Sequence, residues 1–157
     1  MPAASFIDTP LSFFSIPLIW LAAQAPARMR VNAINGKVGY NNLAPRKNIE
    51  RLEKDPNTDK EFLNRIIRLE GAHQNGLEAF PLWAVAVIAG NVGGMENRTL
   101  NICSALYVAG RFLYIYVYLN QKTRAQSIMR TGVWALTTAI PLYVLVHSAI
   151  IRRRWTY

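Results

Sequence analysis

The sequence predicts an all-α integral membrane protein, a bundle of four membrane-spanning helices. Three observations predict it. Hydrophobic residues make up 52% of the 157 and charged residues only 17%, where a soluble domain carries about a quarter charged. The apolar residues gather in four runs, and the mean hydropathy stays at +0.10 because one long polar segment dilutes them. Lysine and arginine concentrate between the runs, where membrane topology signals belong.

The chain reads as a single domain, 1–157, with spans over 11–27, 65–91, 97–120 and 131–151. The first run follows Thr9 and Pro10, a cap and a proline at the first helical position. Pro17 predicts a kink, and the run is short against the roughly 20 residues a span needs. No lysine or arginine precedes it, Asp8 is acidic, and Pro26 and Arg28 follow the small-residue triplet Ala23-Gln24-Ala25. We therefore expect a retained helix rather than a cleaved signal.

Residues 28–60 are polar and hold the turn formers Asn32, Asn35, Gly36, Gly39, Asn41, Asn42 and Pro45. They predict an exposed loop with a short helix over 47–54. The second helix begins near Asp59 and ends near Asn91. Its first half carries Arg65, Arg68, Glu70, His73, Gln74, Asn75 and Glu78, and its second half is apolar. Gly93-Gly94 turns the chain into the third helix, 97–120. A charged loop with Lys122, Arg124 and Arg130 leads to the fourth, which Arg152-Arg153-Arg154 stops at the headgroups.

The net charge is +9. Its bases do not form a stripe with interleaved aromatics on a soluble module, so nucleic acid is not the expected partner. Ten of the 18 basic residues precede position 69, three lie in the third loop, four lie at Arg98 and the C-terminus, and Arg111 is inside a span. The positive-inside rule then places the first and third loops in the cytosol and both termini across the membrane; the C-terminal arginines weigh against that orientation. Cys103, the single cysteine, excludes an intramolecular disulfide and a multi-cysteine metal site. It reads as a packing residue, and no metal-ligand cluster is present in the sequence.

Ionisable groups inside a span are expensive and usually face a bundle interior or a cavity. Asn75 and Glu78 are three residues apart and share a helix face. Tyr107, Arg111, Tyr114 and Tyr118 make one stripe on the third helix. These two faces predict a shared polar pocket. A structural Glu78–Arg111 ion pair is the plainer alternative, as is an interfacial role for Tyr118. His73 alone fits packing or capping as well as catalysis, and His147, alone on the fourth helix, reads as structural.

The stretch Arg68-Leu69-Glu70-Gly71-Ala72-His73-Gln74-Asn75-Gly76-Leu77-Glu78-Ala79-Phe80-Pro81-Leu82 resembles the second-helix signature of the MAPEG superfamily. These are membrane-associated proteins of eicosanoid and glutathione metabolism, among them the microsomal glutathione transferases. Arg111-Phe112-Leu113-Tyr114-Ile115-Tyr116-Val117-Tyr118 looks like the second signature of that family. The resemblance covers nearly the whole chain. It implies a homotrimer that binds glutathione, a cosubstrate, between neighbouring subunits near the cytosolic helix ends. It further implies glutathione contacts from Asn75, Glu78 and His73, a groove lined by Tyr114 and Tyr118, and a buried Arg111. Two positions depart from the family pattern. Gly71 stands where an arginine usually contacts a glutathione carboxylate, with Arg68 one turn earlier as a substitute, and Ala79 stands where the leukotriene synthase has tyrosine. The catalytic, thiol-activating arginine is either Arg130, followed by Thr131-Gly132-Val133-Trp134, or Arg124, nearer Tyr118.

The chemistry suits those residue types. Arginine grips carboxylates bidentately, Glu78 suits an ammonium, and Asn75 suits a peptide backbone. A thiol of pKa about 8.5 is only a few per cent ionised at neutral pH. Lowering it by about two units, worth roughly 2.7 kcal/mol, makes most of it the nucleophilic thiolate. The expected function is therefore a glutathione transferase acting on lipophilic electrophiles, with lipid hydroperoxide reduction as a related reaction of the same thiolate. The rivals are a non-catalytic trimeric scaffold or lipid-binding regulator, favoured by Gly71 and Ala79, and a transport or channel subunit. The resemblance implies the endoplasmic reticulum with a cytosol-facing site, or else the mitochondrial outer membrane.

Overall fold

The structure, a computed structural model, describes residues 6–154 and is all-helical over them. Two short 3-10 turns, Phe6–Asp8 and Leu11–Phe14, lead into α1 (Ser15–Val38). A third turn, Pro45–Lys47, precedes the short α2 (Asn48–Lys54). Three long helices follow: α3 (Lys60–Val92), α4 (Asn97–Asn120) and α5 (Arg124–Arg154). Two of these, α4 and α5, are long and apolar enough to cross a membrane.

Helix α1 outruns its apolar run. Residues 28–38, expected in the loop, are helical because Ile34 is fully buried against Leu52, Ile66 and Leu69. The rest of the expected loop is mostly exposed, as expected, and is anchored at two buried residues, Asn48 and Leu52. Leu52 anchors α2 in that cluster, and the buried Asn48 donates to the carbonyls of Asn41 and Pro45 at 2.9 Å each while accepting from the Asn41 N–H. Pro17 lies in the first turn of α1, where its missing N–H has no intrahelical partner to lose.

Asp59 caps α3, its carboxylate accepting from the N–H groups of Phe62 at 3.0 Å and Glu61 at 3.4 Å. The start of α5 corrects the expected third loop. Thr123 and Gln126 form a reciprocal capping box: the Thr123 hydroxyl accepts from the Gln126 N–H, and Gln126 Oε1 accepts from the Thr123 N–H at 3.1 Å. The link from α4 is thus only residues 121–123, and both Arg124 and Arg130 sit on α5.

Three clusters fill the interior. Ile34, Leu52, Ile66 and Leu69 close the α2 end. Ile19, Trp83, Val87 and Tyr107 pack the middle, with Trp83 stacked on Tyr107 at 4.1 Å and its indole N–H donating to the Ser15 hydroxyl at 3.0 Å. Cys103 joins Ala86, Met95, Leu100 and Val144 at the far end, the packing role expected of it. There Asn101 ties the first turns to α4, donating to the Ile7 and Thr9 carbonyls and accepting from the Ser12 N–H. Helices α1 and α3 approach closely at Gly76, where an added Cβ would lie 2.7 Å from the Ala23 Cβ. A proline interrupts α1 at Pro26, α3 at Pro81 and α5 at Pro141; α4 contains none.

Candidate functional site

The site is built from α4 outward. Arg111 is 3% exposed. Its guanidinium donates to the Asn75 side-chain oxygen at 3.1 Å and, more weakly, to the Asn75 carbonyl at 3.4 Å. It also lies 4.8 Å from the Tyr114 ring centre. Among the described residues no carboxylate reaches it, so the Glu78–Arg111 ion pair is not formed. A neutral amide and an aromatic face are its partners, which leaves a buried positive charge without a counter-ion.

The stripe continues along α4. Tyr114 meets Tyr118 edge-on, 5.7 Å between ring centres. Arg130 reaches across from α5 and lies 4.6 Å over the Tyr118 ring. The order Asn75, Arg111, Tyr114, Tyr118, Arg130 is thus a continuous series of contacts over three helices. Two cations lie in it, separated by two aromatic rings. Arg124, by contrast, is exposed at the first position of α5 and makes no hydrogen bond or ion pair among the described residues.

Gly71 has a structural reason. A Cβ there would collide with the Tyr118 hydroxyl. Tyr118 occupies the space that a longer side chain at position 71 would need. Arg68, one turn earlier, is turned to other work: its Nε donates to the Leu119 carbonyl at 3.2 Å, close to the end of α4.

Glu78 is exposed and makes no hydrogen bond or ion pair among the described residues. With Asn75 it lines a cavity of about 280 Å³ whose other walls include Leu82, Tyr107, Trp134 and Pro141. Glu78 and Asn75 make its lining acidic and amide-bearing, and most of its other walls are apolar, with Thr138 among them. Trp134 on α5 is a wall that the sequence reading did not assign to the site; its position one turn after Arg130 was the available signal.

His73 does not join this group. Two residues from Asn75 is about 200° around a helix, and His73 lies on the opposite side of α3. Its Nδ1 is 2.8 Å from the Ala23 carbonyl. A carbonyl only accepts, so Nδ1 carries the proton. His73 lines a second cavity, of about 610 Å³, with Arg30, Arg46, Glu70 and Gln74. Arg30 and Glu70 pair there across α1 and α3, a contact the sequence reading missed. His147 stacks on Tyr143 at 5.4 Å on α5, away from both groups.

Among the described residues no three His, Cys, Asp or Glu side chains gather as metal ligands. No curated protein and no solved structure matches this chain. A family model does match, over residues 9–150 and hence nearly the whole chain. The helical fold, the apolar α4 and α5 and this match agree: the protein is a membrane protein that belongs to the MAPEG family, which includes glutathione transferases and related enzymes.

Proposed function

We propose that this protein is a glutathione-dependent membrane enzyme, a transferase that conjugates lipophilic electrophiles. The observation that carries the reading is the buried Arg111, without a counter-ion among the described residues, in contact series with Tyr114, Tyr118 and Arg130, beside a cavity that Glu78 and Asn75 line and whose other walls are mostly apolar. Cationic groups without carboxylate partners suit an anionic ligand, and Glu78 suits its ammonium. Glutathione has both, and its thiol supplies the nucleophile. Arg130 is the proposed activator, because it is held at the site by Tyr118 whereas Arg124 is not. A guanidinium in a poorly hydrated groove favours thiolate over thiol. The thiolate sulfur forms a bond to the electrophilic carbon, and the leaving group departs with the bonding pair. With a hydroperoxide the sulfur attacks oxygen and the O–O bond breaks. An alcohol leaves, and a second glutathione then yields the disulfide and water.

The proposed assembly is a homotrimer of subunits with four spans each, in the endoplasmic reticulum, with the site toward the cytosol. The division of residues between two sides of α3 supports an intersubunit site. The His73 and Arg30 side of one subunit and the Asn75 and Arg111 side of the next can face one ligand, whereas within one subunit they cannot. A second reading, a non-catalytic scaffold or lipid-binding regulator of the same fold, draws on Gly71: the Tyr118 hydroxyl fills the space of the family's carboxylate-gripping arginine.

The two readings separate in one experiment. Glutathione-thiolate formation is followed by ultraviolet difference absorbance on folded, oligomeric, detergent-purified protein at neutral pH. A thiolate signal that Arg130→Ala abolishes and Arg124→Ala spares is the expected result. No signal from wild type removes the transferase and leaves the scaffold.

A further inference from the structure

We propose that the cytosolic end of the helix assembly carries a separate site for a phosphate-bearing anion, built to take the headgroup of an acidic phospholipid. A cavity of about 330 Å³ opens there between α1, α3 and the end of α4. Arg65, Arg68 and Lys122 line it, with Glu61 as the one acid and Met29 and Leu69 among its apolar walls. The cluster is net positive by two charges. Arg65 is exposed and makes no hydrogen bond or ion pair among the described residues. Arg68 is tied only through Nε to the Leu119 carbonyl, at 3.2 Å, and that bond fixes its guanidinium at the cavity. Lys122 is 3.5 Å from Glu61, a loose and exposed pair.

Depth decides the ligand class. Helix α4 has 24 residues, or about 36 Å at 1.5 Å per residue, against a hydrocarbon core of about 30 Å. Its last residues, Leu119 and Asn120, therefore emerge where the headgroups lie. A basic cavity with apolar walls at that depth matches a phosphate with acyl chains beneath it. Ordinary topology signals need no shared cavity; these three bases converge on one. The cavity does not include Asn75, Arg111 or Tyr118, so the site is independent of the glutathione reading.

The test uses full-length protein in glutathione-free detergent, with native mass spectrometry of bound dioleoylphosphatidylglycerol against dioleoylphosphatidylcholine. Wild type is expected to retain phosphatidylglycerol preferentially. Arg65→Gln, a substitution at an exposed residue without partners, should weaken retention about fivefold, and Arg65→Gln with Arg68→Gln about 25-fold. Lys47→Gln with Lys60→Gln, the same charge loss outside the cavity, should leave it unchanged. Displacement of the lipid by millimolar inorganic phosphate would assign the site to a free anion, and resistance to displacement to the lipid. Equal retention of the two lipids, or equal loss in the Lys47 and Lys60 variant, would overturn the proposal.

Discussion

Replacing Asn75 with alanine removes the only side-chain acceptor that Arg111 has among the described residues. The guanidinium is 3% exposed, and its bond to Asn75 Oδ1 is 3.1 Å long. A hydrogen bond to a charged group contributes about 1.5–3 kcal/mol, and a buried charge left without its partner sits at the upper end. The remaining contacts, the Asn75 carbonyl at 3.4 Å and the Tyr114 ring at 4.8 Å, are too weak to replace it. We therefore expect Asn75→Ala to cost about 2–3 kcal/mol. In an Arg111→Met background there is no charge to strand, and the same substitution should cost under about 0.5 kcal/mol, the scatter for independent sites. The assay is equilibrium unfolding in mixed micelles with rising sodium dodecyl sulfate, read from the fluorescence of Trp83, which is buried and stacked on Tyr107. Equal costs in the two backgrounds would refute the assignment of Asn75 as the partner that makes a buried Arg111 tolerable.

Three further outcomes follow from the packing. Gly71→Ala should destabilise by about 1–3 kcal/mol through overpacking, and Tyr118→Phe, which deletes the colliding hydroxyl, should restore most of the loss in the same unfolding assay. Leu52→Ala empties the α2 anchor and should cost about 2–5 kcal/mol, with hydrogen exchange rising first across 28–38 and 48–54. The Asp59 carboxyl is held below its ordinary range, chiefly by the Phe62 N–H; desolvation is the next largest effect and opposes it, and the Glu61 N–H and Lys37 add to the lowering. Its stabilisation of α3 is thus present above the unfolded aspartate range and is lost as pH falls through the lower folded value. Exchange at the first turn of α3 should rise over that acid interval in wild type and show no such step in Asp59→Asn.

The sequence was most readable where apolar runs and turn residues agreed. Helix α4 lies at the expected 97–120 because the run is bounded by the Gly93-Gly94 turn and by the polar Gln121 and Lys122. Helix α5 starts earlier than expected because its first turns are set by Thr123 and Gln126, polar caps that hydropathy does not register. The extension of α1 was hidden by Asn32 and Asn35, turn formers by composition, which tertiary burial of Ile34 overrides. At the site, spacing identified the Arg111, Tyr114 and Tyr118 stripe and the shared face of Asn75 and Glu78. Which of those two meets Arg111 is a matter of helix rotation and depth, and single-sequence periodicity does not carry it. The separation of His73 from Asn75 was in the spacing already, since two residues cannot share one side of a helix. The Tyr118 hydroxyl against Gly71 is a contact between residues 47 apart in sequence and had no local signal.

The placement of the prolines has a mechanical consequence. Each removes one rung of its helix ladder, at the carbonyls of Ala22, Leu77 and Thr137, four residues before Pro26, Pro81 and Pro141. A missing rung is a compliant joint, so α1, α3 and α5 can each bend near mid-length. Among the four long helices α4 alone has no proline, and it behaves as a mast among jointed spars. It carries Arg111, Tyr114 and Tyr118, the side chains whose mutual spacing the proposed chemistry requires. Breathing of the surrounding helices can admit a bulky apolar molecule from the side while the distances along the mast stay fixed.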